Sequence, residues 1–122
     1  MAKERILVVD DEEQIVRLER LMLERLGYQI TSRVSSLEAL QAFKANPYAY
    51  DLVITDMTMP HMTGDALAVE LLKIRPDLPI ILCTGYSSLV SEDQATSMGI
   101  KKYLLKPVSR IDLSEAIRDA FR

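Results

Sequence analysis

A chain of 122 residues has room for one hydrophobic core and excludes a pair of ordinary-sized domains. With 48% hydrophobic and 27% charged residues, it reads as a globular protein and not as a disordered polar chain. The 15 basic and 18 acidic side chains leave a net charge of −3. That balance argues against direct binding to nucleic acid, whose phosphates call for clustered Lys and Arg.

Ile6, Leu7, Val8 and Val9 form one of the longest apolar runs, far short of a bilayer's thickness, so no membrane insertion is expected. Lys3, Glu4 and Arg5 lead directly into that run, where a secretory leader would carry its apolar stretch. Cys83 is the single cysteine, so no internal disulfide forms and a reducing, cytoplasmic location is expected.

Strand and helix patterns alternate along the chain. Residues 5–10 form an apolar run closing on acid. Residues 12–26 have helical spacing, with Ile15, Leu18, Met22 and Leu26 on one stripe and Gly27 as the stop. Val16 and Leu23 lie off that stripe. They are either part of a wide core face or an apolar flank that receives a partner's helices. Residues 28–34 alternate apolar and polar like an edge strand. Ser35 and Glu38 have capping-box spacing for a helix running to residue 46. Strands follow at 52–56, 80–84 and 103–106, and helices at 65–75, 92–98 and 110–121. The strands other than the second read as near-uniform apolar runs, as burial on both faces requires.

Five βα units in this alternation define an α/β fold with a parallel sheet covered on both faces. The flavodoxin-like doubly wound order 2-1-3-4-5, with the polar second strand at an edge, fits the pattern. All 122 residues are expected to form this single domain, with no effector domain in the chain.

Ligands of such sheets bind outside the carboxyl ends of the strands. There the sequence places Asp10 and Asp11, Asp56, Thr84 and Lys106. Asp10 or Asp11 alone would read as a helix cap, and Thr84 or Lys106 alone as a loop residue. Four strand ends carrying such groups together point to a charged site. At a spacing of about 4 Å and an effective dielectric near 20, each carboxylate pair repels by roughly 4 kcal/mol. Lys106 and a divalent cation would relieve this, and Mg²⁺ suits a set of oxygen ligands. Asp10, Asp11 and Asp56 are therefore candidate Mg²⁺ ligands.

The pattern Asp56-Met57-Thr58-Met59-Pro60-His61-Met62-Thr63-Gly64, preceded by Asp10-Asp11 and followed by Thr84, Tyr103 and Lys106-Pro107, resembles the response-regulator receivers of two-component phosphorelays. The resemblance implies that Asp56 accepts a phosphoryl group from a histidine kinase or histidine phosphotransfer protein. It also implies Mg²⁺ on Asp10, Asp11, Asp56 and the Thr58 carbonyl, and Lys106 on the phosphoryl oxygens. Thr84 and Tyr103 would be the conformational switch, and Pro107 would follow a cis peptide bond. The chemistry is consistent: phosphoryl transfer is mainly positioning and charge neutralisation, and a carboxylate nucleophile gives an acyl phosphate.

The same resemblance places Thr58 and Tyr86 beside the path of a hydrolytic water. Neither offers a carboxylate or amide to orient it, so a long-lived phosphorylated state is expected. A stand-alone regulator and the receiver module of a hybrid kinase share this pattern. The output partner is unspecified, and the expected assembly is a monomer or weak dimer. The chief alternatives are an aspartyl-phosphate hydrolase of the haloacid dehalogenase type and a docking scaffold that is never phosphorylated. The hydrolase pattern needs a second Asp where Thr58 stands. The scaffold has no reason to carry the full set of site residues.

Overall fold

The computed structural model describes residues 4–85 and 90–121. Strands and helices alternate as β1 (Arg5–Val9), α1 (Glu13–Arg25), β2 (Gln29–Arg33), α2 (Ser36–Ala45), β3 (Leu52–Asp56), α3 (Gly64–Ile74), β4 (Ile80–Thr84), α4 (Glu92–Ser97), β5 (Lys102–Leu105) and α5 (Arg110–Ala120). The sheet has the order β2-β1-β3-β4-β5, and every pairing is parallel. This is the flavodoxin-like arrangement expected from the alternation.

Strand side chains point to opposite faces in turn, which divides the core in two. Leu7, Val9, Val53 and Leu82 join α2 and α3 through Phe43, Leu67 and Leu71. Ile6, Val8, Ile54, Ile81 and Cys83 face the other way, toward Val16 and Leu23 of α1 and Leu113 and Ile117 of α5. β3 and β4 are buried along their whole length. Gly27 follows α1 with φ +99, a left-handed stop that a side chain would disfavour.

Three expectations need correction. The buried residues of α1 are Val16 and Leu23, whereas Leu18 and Leu26 are 65% and 47% exposed. The helix is turned by about 80° from the Ile15/Leu18/Met22/Leu26 stripe, using 100° per residue. Two overlapping stripes exist in this helix, and the one with fewer apolar residues meets the sheet. Val16 and Leu23 are thus core residues, and the idea that they form a docking flank is overturned. Second, β5 lies at the edge that the expected order gives it, but it is not buried on both faces as its apolar run suggested: it is partly exposed throughout, with Leu105 53% exposed. Third, at α2 the Ser35 hydroxyl accepts from the Glu38 amide at 3.3 Å. The reciprocal box forms instead at α4, between Ser91 and Gln94.

The turned helix gives a direct prediction. Leu23→Ala should cost about 2–5 kcal/mol, as loss of a buried leucine does. Leu18→Ala should stay within roughly 0.5 kcal/mol, as exposed positions do. Urea denaturation of both variants checks this, and the reverse ranking would restore the original stripe.

Candidate functional site

The parallel register brings the functional strand ends together. Val9 stands opposite Thr55, Asp56 opposite Cys83, and Thr84 opposite Leu105. Asp10 therefore leaves β1 beside the last residue of β3, and Lys106 leaves β5 beside the last residue of β4. The Lys106 amide donates to the Thr84 carbonyl at 2.7 Å, which ties these two exits to each other. The Lys106–Pro107 peptide is cis.

Asp10 and Asp56 are buried, and Asp11 is exposed. Oxygen atoms of the three carboxylates lie within 4.8 Å of one another. Lys106 Nζ lies 2.6 Å from Asp56 Oδ1 and 3.3 Å from Asp10 Oδ2. The other oxygen of Asp10, Oδ1, accepts from the Glu12 amide at 2.9 Å. One carboxylate thus both shapes the entry to α1 and faces the charged cluster. The helix-cap reading of the acidic pair fails: Glu12 is the N-cap of α1, no side chain caps it, and the Asp10–Glu12 bond is a local turn contact ahead of the helix.

Gly64 opens α3 directly behind the phosphoacceptor candidate. Its amide donates to the Met57 carbonyl at 2.8 Å, and a Cβ added there would overlap the Asp56 carbonyl oxygen. Met57 and Met59 are buried beneath the intervening loop, and Met62 packs against the same cluster. His61 is exposed and takes φ 70, a left-handed conformation that His tolerates better than most residues.

Thr84 is buried, and its hydroxyl donates to the Gly85 carbonyl at 3.2 Å. Tyr103 is half-buried, with its hydroxyl donating to the Val90 carbonyl at 2.7 Å. Thr58 is exposed in the loop after β3. Tyr86 lies outside the described residues.

The electrostatics follow from burial and crowding. Burial pushes the Asp56 carboxyl above its usual range. The Lys106 hydrogen bond draws it back, and the charges of Asp10 and Asp11 add to the rise. For Lys106, burial works against the ammonium. The hydrogen bond to Asp56 and the charge of Asp10 outweigh it and hold the pKa above that of an ordinary lysine. The lysine therefore stays charged at neutral pH.

Sequence reasoning missed Glu19. It lies three residues after Val16 and four before Leu23, is partly buried, and lines a cavity with Asp10, Asp56 and Lys106. The available signal was an acid at helical spacing between two apolar residues. The more apolar Ile15/Leu18/Met22/Leu26 stripe obscures it.

Residues 6–118 match the family described as "Response regulator receiver domain". The Escherichia coli (strain K12) transcriptional regulatory protein GlrR is 36% identical over 115 residues, covering 94% of this chain and 26% of that protein. The probable transcriptional regulator ycf27 of Porphyridium aerugineum is 36% identical over 122 residues, covering all of this chain and 50% of that protein. The chain thus spans between a quarter and half the length of these two relatives.

Among solved structures, a receiver domain protein from Clostridium thermocellum superposes with a TM-score of 0.92 at 39% identity, covering 96% of this chain and 93% of that one. The Thermotoga maritima response regulator TrrA, solved in complex with Mg²⁺-BeF, gives 0.85 at 36% identity, covering 96% and 98%. The chain belongs to the response regulator receiver domain family of two-component systems.

Proposed function

We propose that residues 1–122 act as one receiver unit that takes a phosphoryl group onto Asp56. The observation that carries this reading is the position of Lys106, whose ammonium bridges Asp56 and Asp10 within the cluster at the strand ends. An Asp56 carboxylate oxygen attacks the phosphorus of a phosphohistidine on a histidine kinase or phosphotransfer protein. The O–P bond forms as the P–N bond breaks, and the donor imidazole leaves with the electron pair. Lys106 is placed to neutralise charge on the phosphoryl oxygens, which is most of what such a transfer asks of a protein.

The donor set fits Mg²⁺: three carboxylates crowded within 4.8 Å and only one lysine between them. Asp10, Asp11 and Asp56 would hold the ion, with the Thr58 carbonyl as a further oxygen ligand. When bound, it would neutralise the carboxylates and the incoming phosphoryl group. The Mg²⁺-BeF complex of TrrA supports this reading.

Aspartyl phosphate adds a charge of about −1.5 to −2 with strong acceptor oxygens, by analogy with other phosphorylated side chains. That group draws the Thr84 hydroxyl away from Gly85. Val90, ahead of α4, then shifts, and Tyr103, whose hydroxyl donates to its carbonyl, changes place with it. The output partner acts on whichever conformation results.

Treatment with acetyl phosphate and Mg²⁺, followed by intact mass, tests the acceptor. The parent protein should gain one phosphoryl group and Asp56→Asn none. Equal gain in both would remove Asp56 from the role. The lifetime reading rests on Thr58 and Tyr86. After donor removal, the parent should keep its phosphate about 10²-fold longer than a Thr58→Asn, Tyr86→Glu double variant, in line with restoring a water-orienting group. Equal decay rates would show that these two residues do not control hydrolysis.

A further inference from the structure

The Glu19 cavity has a volume of about 500 Å³, within the range of roughly 300–1,000 Å³ typical of small-ligand sites. It runs from the acidic cluster along the Ile15/Glu19/Met22 flank of α1 to the segment before α5. Its walls are mainly apolar, with Ile15, Leu18 and Met22 on one side and Val108 on the other. Glu19 enters this space without a hydrogen bond or ion pair among the described residues. Lys106, the single cation on the wall, is already engaged by Asp56 and Asp10.

An uncompensated carboxylate in an apolar recess is costly, and a matched cation is the usual remedy. Burial chiefly, and then the charge of Asp10, push the Glu19 pKa up to about 7, with Lys106 partly opposing and Asp56 adding to the rise, so the carboxylate is fully charged above neutral pH. Inorganic cations gain little from apolar walls. An ammonium carried on a hydrocarbon body would use both features of the cavity, pairing with Glu19 while its stem covers Ile15, Met22 and Val108.

We propose that this cavity is a binding site for a small organic cation, an amine on an apolar stem, anchored by Glu19. The cavity shares Asp10, Asp56 and Lys106 with the proposed phosphoryl-transfer site, but its anchor is Glu19, and the proposal stands whether or not Asp56 is phosphorylated.

The test uses the full chain, with saturating Mg²⁺ to keep the probe's ammonium from serving merely as a counter-ion to Asp10 and Asp56. Phenethylamine and the near-isosteric neutral 2-phenylethanol are titrated and followed by backbone amide NMR shifts. The amine should bind at least ten-fold more tightly than the alcohol, with shifts centred on Glu19, Met22 and Val108. Glu19→Gln should reduce the amine's affinity to the alcohol's level and leave the alcohol's unchanged. Equal binding of amine and alcohol would overturn the proposal, as would no detectable binding. Amine shifts confined to Asp10, Asp11 and Asp56 would also overturn it. If the Glu19→Gln variant fails to fold, the comparison of amine with alcohol on the parent protein still decides.

Discussion

Replacing Gly64 with alanine is expected to destabilise the protein by about 3 kcal/mol, the upper part of the range for overpacking, and to reduce labelling of Asp56 by acetyl phosphate severely. The new Cβ would overlap the Asp56 carbonyl oxygen and press on the Leu82 side chain at 2.9 Å. Both neighbours are held: Asp56 ends a fully buried strand, and Leu82 is itself fully buried. Relief therefore requires moving the start of α3 or the end of β3, and the second displaces the carboxylate of Asp56, the proposed phosphoacceptor. Gly85→Ala is the natural control for stability. Among the described residues no heavy atom lies within 4 Å of its added Cβ, so the change should stay within about 0.5 kcal/mol. Chemical denaturation of the two variants measures the contrast. Equal stability would mean that the contact between the α3 start and Asp56 is looser than the geometry shows.

The second large effect is expected from Lys106→Met, which keeps the apolar stem and removes the charge. Loss of one preorganised charge-stabilising group typically slows a reaction by about 10²–10³-fold, and labelling by acetyl phosphate should fall by that order. The change also leaves Asp10 and Asp56 without the cation now bridging them. Mg²⁺ should then raise the thermal unfolding midpoint of the variant by more than it raises that of the parent. This readout needs no phosphoryl transfer. A parent and variant with the same response to Mg²⁺ would show that the ion does not use these carboxylates.

Much of this was legible in the chain itself. β1, β3 and β4 announce themselves because burial on both faces leaves little room for polar residues, Thr55 being the buried exception inside β3, and their ends carry Asp10, Asp56 and Thr84 in order. β5 is less plain, because its apolar residues resemble a central strand while it lies at an edge and leaves Leu105 exposed. The phase of α1 was ambiguous for a different reason. Its apolar residues supply two stripes, and contact with the sheet, which depends on tertiary packing, selects Val16 and Leu23. Glu19 was hidden by that same ambiguity. The pairing of Lys106 with both Asp56 and Asp10 depends on strand register, which the sequence implies only through the fold.

The most direct test of the central claim is to identify the phosphorylated side chain by its chemistry. An acyl phosphate on aspartate is reduced by borohydride to the alcohol, which converts the residue to homoserine, whereas phosphate esters and unmodified carboxylates are left intact. The protein would be incubated with acetyl phosphate and Mg²⁺, reduced, digested and sequenced by mass spectrometry. The account predicts homoserine at position 56, dependent on Mg²⁺. Homoserine at Asp10 or Asp11 instead, or an unchanged Asp56 in protein that has demonstrably gained phosphate, would contradict it.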